Sequence, residues 1–192
     1  MSEFYLYLKL GFNHIITYQA FDHILFITSL VAIYSFSEVK KVLVLVTAFT
    51  IGHSLTLALS VLDVINIDLS LVELLISITI LITAIANLRK NKQIGGLYRF
   101  KYITAAIFGL IHGLGFSGYL KMLLGQNQGV LKPLFAFNIG IELGQILVVL
   151  IVLILREIVV VRLDLKNRVW VWGLSVVSIL VASILIFSHI FV

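Results

Sequence analysis

Apolar stretches of about twenty residues, the length that crosses the hydrocarbon core of a bilayer, recur six times along the chain. They fall at about 17–36, 42–60, 70–88, 102–120, 133–155 and 170–190. Polar or charged segments separate them: SEVKK, LDVINIDL, RKNKQIGGLYRFK, KMLLGQNQGVLK and REIVVVRLDLKNR. This pattern predicts an all-α polytopic membrane protein, a bundle of six transmembrane helices forming one domain over residues 1–192. Residues 3–16 are short and aromatic, so a short interfacial helix is expected before the first span.

Orientation follows from the basic residues, because loops rich in Lys and Arg stay cytoplasmic. With both termini outside, the inner loops hold Lys40, Lys41, Arg89, Lys90, Lys92, Arg99, Lys101, Arg156, Arg162, Lys166 and Arg168. Only Lys9, Lys121 and Lys132 of the 14 basic residues then lie outside, which predicts an N-out, C-out bundle. The N-terminal MSEFYLYLKLGFNH lacks the positive flank and cleavage site of a secretory signal, so it is expected to stay in the mature protein.

Composition agrees and narrows the chemistry. The chain is 61% hydrophobic and 12% charged, far from the balance of a soluble domain. The lipid bilayer is therefore its first partner. A net charge of +5 reflects cytoplasmic Lys and Arg rather than a nucleic-acid surface. There is no Cys, so a metal would have only nitrogen and oxygen ligands.

Helix direction converts residue number into depth, and the polar residues then gather in one half of the membrane. Asp22 and His23 come early on the first span, His53 late on the second, Glu73 at the start of the third, His112 late on the fourth, and Asn138 and Glu142 early on the fifth. All lie on the outer side. Asn138, Glu142 and Gln145 are spaced to form one helical stripe. Gly109 and Gly113 give the fourth span a small face for close helix packing beside His112. Imidazoles and carboxylates converging at one depth suit a divalent metal ion such as Ni, Co or Zn. The structural alternative is that each His donates to a backbone carbonyl or a neutral partner and simply glues helices together.

Asp22, His23, His53, His112 and Glu142 are thus the candidate metal ligands, and Glu73 is equally well a solvated residue at a helix start. Asn138 and Gln145 are expected to support ligands or pack helices. His14 reads as a surface residue or a mobile additional ligand, and His189 as interfacial. GFSG, residues 115–118, resembles the GxSG of intramembrane serine proteases, but a close-packed glycine-rich helix end explains Ser117 better.

AFDHILFITSL, TAFTIGHSLTLAL, VELLISITI, FGLIHGLGFSGYL and FNIGIELGQ, in this order, resemble the HupE/UreJ family of bacterial membrane proteins. The likeness runs from about residue 11 to 150. It departs in the longer gap between His14 and the Asp22–His23 pair, and in Ser117 where the family has Ala. The resemblance implies a nickel or cobalt permease of the bacterial inner membrane, with Asp22, His23, His53, His112 and Glu142 as the metal-contacting set.

Three functions remain open from the residues. The first is a divalent-cation permease, although no inverted repeat or pair of broken helices stands out, and a homo-oligomer is one way to complete the route. The second is an intramembrane metal-dependent hydrolase acting on a lipid or membrane peptide, with Asp22 or Glu142 as general base. The third is a metal-sensing or accessory membrane protein.

Overall fold

The structure is a computed structural model that describes residues 2–17, 20–88, 97–124 and 129–191. Helices α1 (Glu3–Ile16), α2 (Phe21–Val31), α3 (Val39–Val61) and α4 (Leu69–Leu88) form the first half. The second half holds α5 (Leu97–Gly115), α6 (Ser117–Leu124), α7 (Leu131–Arg156) and α8 (Asn167–Phe191). A single 3-10 turn, Phe36–Glu38, leads into α3, and π-helical turns, Glu157–Arg162, extend α7. No strand occurs among the described residues. Four helices are long and apolar enough to cross a membrane, or five if α5 and α6, bent by 51° at Phe116, count as one span. Arg89, Lys90 and Lys92, expected in a cytoplasmic loop, lie outside the described residues, as does the Arg99 side chain.

Helix boundaries follow local chemistry. The Ser2 hydroxyl accepts from the Tyr5 N–H at 3.4 Å, and the Asp68 carboxylate accepts from the Leu71 N–H at 3.2 Å. Ser35 and Glu38 form a reciprocal capping box ahead of α3. Each satisfies backbone donors that a helix start leaves open.

Two expectations change at the N-terminus. Residues 17–36 do not form one continuous span: among the described residues the α-helix of this segment is Phe21–Val31, whose eleven residues rise about 16 Å, half the hydrocarbon thickness. Helix α1 does not lie apart at an interface either. It packs along α7, burying Tyr7, Gly11 and Ile15. Glycine is the reason. A Cβ at Gly11 would collide with the Phe137 carbonyl, and one at Gly140 with the Leu8 carbonyl, so the two backbones touch where only hydrogen fits.

Helices α3 and α5 make the same contact. A Cβ at Gly109 would collide with the Phe49 carbonyl, and one at Gly52 with the Ala106 carbonyl. Leu8, Gly11 and His14 stand 98 residues before Ala106, Gly109 and His112, while Phe49 and Gly52 stand 88 before Phe137 and Gly140. One packing pattern is therefore used twice in the same register. Contacting residue numbers rise together in both pairs, so each pair is parallel.

Helices α3 and α7, in contrast, cross antiparallel, with Thr47 at Glu142 and Leu55 beside Leu131 and Leu134. Helices α4 and α8 also pack antiparallel, Glu73 lying 3.9 Å from His189 at one end. The chain thus contains two repeats of opposite orientation, each with an interrupted helix (α1/α2 or α5/α6) followed by two long ones. Each repeat packs its interrupted helix on a long helix of the other. The inverted repeat that did not stand out in the sequence is carried by these backbone contacts.

Candidate metal centre

Both interruptions adjoin the same group of side chains. His14 ends α1 and His23 begins α2, so they flank the first break. His112 sits on the last turn of α5, just before the bend at Phe116, and His53 comes from α3. The ring centroid of His23 lies 4.6 Å from that of His14, 6.2 Å from His53 and 5.2 Å from His112. One ring nitrogen from each of His14, His23 and His53 lies within 4.8 Å of the others. In a tetrahedral shell with bonds of 2.0–2.1 Å, ligand nitrogens stand about 3.3 Å apart. Modest side-chain rotations would close these three on one ion.

The hydrogen bonds decide which nitrogens carry lone pairs. His23 Nδ1 lies 3.0 Å from Asp22 Oδ1, and a carboxylate only accepts, so Nδ1 bears the proton and Nε2 the lone pair. The Thr79 hydroxyl donates to the Ile76 carbonyl at 2.7 Å, so it must accept from His112 Nε2 at 3.0 Å. His112 Nδ1 is then the lone-pair atom. Both of these atoms, with His14 Nε2 and both ring nitrogens of His53, are buried without a hydrogen-bond partner among the described residues. In His23 and His112 the orphaned lone pair stands opposite a hydrogen-bonded N–H, the state of a metal-ligating imidazole, whereas His53 has no partner at either nitrogen. His112 does donate to a neutral partner, the Thr79 hydroxyl, as the structural alternative expects, while that alternative leaves the orphaned nitrogens unaccounted for.

Aromatic rings close the group on two sides. Phe26, Phe49 and Phe108 stand one helical turn from His23, His53 and His112, and Phe26 and Phe49 contact the His112 ring at 4.9 and 5.1 Å. On the other side Phe116 lies 4.1 Å from His14 and stacks on Phe137 at 5.1 Å. Phe49 and Phe137 occupy equivalent positions in the two repeats. Beside Phe116 a cavity of about 450 Å³, lined by Asn13, Thr17, Asp22, Glu73 and Tyr119 among others, leads from the histidines toward the end of the bundle where α4 begins.

The remaining expected residues are distributed unevenly. Glu73 lines the mouth of this cavity and is exposed. Glu142 is not beside the histidines: its Oε1 accepts from the Thr47 hydroxyl at 2.6 Å, and with Asn138 it lines a separate groove. Gln145 is fully buried against Thr50, 2.8 Å away. The stripe of Asn138, Glu142 and Gln145 therefore faces α3 in a different place. The Ser117 hydroxyl donates to the Leu114 carbonyl at 2.8 Å, satisfying an open carbonyl in the last turn of α5, which explains it structurally. His14, read from sequence as a surface residue or a mobile additional ligand, stands beside His23 and His53. The visible signal was its spacing, since Gly11 and His14 in GFNH repeat Gly109 and His112 in GLIH.

Interrupted apolar helices meeting at buried imidazoles define an integral membrane protein with a candidate metal site inside the helix bundle. The family profile described as "HupE / UreJ protein" matches residues 1–190, nearly the whole chain, and the protein belongs to that family. Membership implies a role related to nickel or cobalt transport. No curated protein and no solved structure gives a significant match.

Proposed function

We propose that the protein is a divalent transition-metal permease of the bacterial inner membrane, with nickel or cobalt as cargo. His14, His23 and His53 hold the ion, His112 adds a fourth imidazole as the site closes, and Asp22 orients His23. The reading rests chiefly on one observation: orphaned imidazole nitrogens from both interrupted helices and from α3 belong to rings that approach one another closely. Secondary transporters bind substrate at such breaks, and rocking of inverted repeats exposes the site to each side in turn. Six crossings, N-out and C-out, follow if α1 with α2 and α5 with α6 each make one interrupted span. The cavity beside Phe116 is then the outer approach, and Phe26, Phe49 and Phe108 are the inner barrier.

A hydrolase is less well supported, because Asp22 is committed to His23 and Glu142 faces another groove. The deciding experiment is nickel, cobalt and zinc entry into proteoliposomes, comparing the wild type with His23→Ala and His53→Ala. Histidine-dependent entry supports the permease. Histidine-dependent binding with no entry refutes transport and favours a sensor or enzyme.

A further inference from the structure

The second groove, about 460 Å³, lies where α3 and α7 cross. Its polar lining is Thr47, Thr50, Ser54, Asn138 and Glu142. Glu142 stands in the middle of α7, half-buried, and its one hydrogen-bond partner among the described residues is the Thr47 hydroxyl. Asn138 Oδ1 is buried with no partner among the described residues. No other titratable side chain lines the groove among the described residues. The histidines and the acid that neighbouring helices bring to the bundle interior, His14 on α1, Asp22 and His23 on α2 and His53 on α3, belong to the imidazole cluster.

An ionised carboxylate within a membrane-spanning helix is costly without a positive charge beside it. Here the surrounding donors are all oxygen: carboxylate, hydroxyls and an amide carbonyl. Such a set suits a small hard cation, whereas nickel and cobalt are served by the imidazoles elsewhere. The groove also sits between the repeats at equivalent positions. Ser54 stands 88 residues before Glu142, and Thr50 stands 88 before Asn138, the same register that relates α3 to α7. Motion of one repeat against the other changes the spacing of these oxygens.

We infer that Glu142, with Thr47, Ser54 and Asn138, binds a monovalent cation, a proton or sodium, whose exchange is coupled to passage of the divalent ion. The coupling rests on the permease reading; the binding does not.

The test uses the whole wild-type protein in proteoliposomes without added metal. Dicyclohexylcarbodiimide, which modifies carboxyl groups in apolar surroundings, is applied and the adducts are located by peptide mass spectrometry. Glu142 is expected to be modified, with at least a fivefold fall when its cation occupies the site or leaves it. Suppression by sodium but not by choline identifies sodium; suppression by raising the pH alone, sodium having no effect, identifies the proton. A Glu142 that stays unmodified, or is modified equally under all these conditions, overturns the proposal. Cation-sensitive modification without any metal flux would instead refute the permease and leave the cation site standing. Glu142→Gln should keep nickel affinity within twofold and abolish the dependence of uptake on a pH or sodium gradient. Retained gradient dependence in that variant overturns the coupling.

Discussion

Replacing Gly11 by alanine adds one methyl group where the Phe137 carbonyl already touches the α1 backbone. Relief requires α1 and α7 to separate by about 1 Å, since a carbon and a carbonyl oxygen cannot approach closer than contact. Overpacking costs about 1–3 kcal/mol, and the upper end applies because the obstacle is helix backbone with no rotamer to change. Alanine's better helix propensity returns up to about 1 kcal/mol. The net expectation is a loss of about 2 kcal/mol, which is about thirtyfold in the folding equilibrium. Gly109→Ala, whose methyl meets the Phe49 carbonyl, should lose the same amount because its contact is the equivalent one. Gly173 in α8 has open space around it, so Gly173→Ala should be neutral or slightly stabilising. Reversible denaturant titration in mixed micelles, followed by circular dichroism and tryptophan fluorescence, measures all three. If Gly11→Ala is as stable as Gly173→Ala, the packing of α1 on α7 is wrong. A difference above about 1 kcal/mol between Gly11→Ala and Gly109→Ala would refute the equivalence of the two helix pairs.

Three further outcomes concern the metal centre. His14→Ala and His53→Ala should each weaken nickel binding, measured by calorimetry in detergent, by at least about tenfold; an unchanged affinity in His14→Ala would return His14 to the surface role. Asp22→Asn should lose about 10–100-fold in affinity while the fold survives, because the amide no longer holds a proton on His23 Nδ1 with the strength of a carboxylate. Metal binding should weaken on acidification, since protons compete for the imidazole lone pairs. A nickel affinity that stays unchanged down to the pH at which the protein unfolds would remove the histidines from the shell.

Hydropathy alone marks a helical membrane protein, because each helix within lipid must satisfy its own backbone and so needs a long apolar run that is visible residue by residue. The long helices α3, α4, α7 and α8 were legible for that reason, and His23, His53 and His112 were legible as rare intramembrane imidazoles. Loop charge predicted a direction for each helix, and from it an expected common depth for these residues. What distance along the chain does not encode is which faces touch. The place of α1 within the bundle, the meeting of His14 with His23 and the separation of Glu142 from them all depend on carbonyls of one helix resting on glycines of another. Those contacts join residues about 50 to 130 positions apart, and GFNH and GLIH are too short to reveal them without the folded pairs. The kind of protein and most of its imidazoles were therefore set by local composition, while the membership of the site, the inverted repeat and the second groove were decided by backbone packing at tertiary distance.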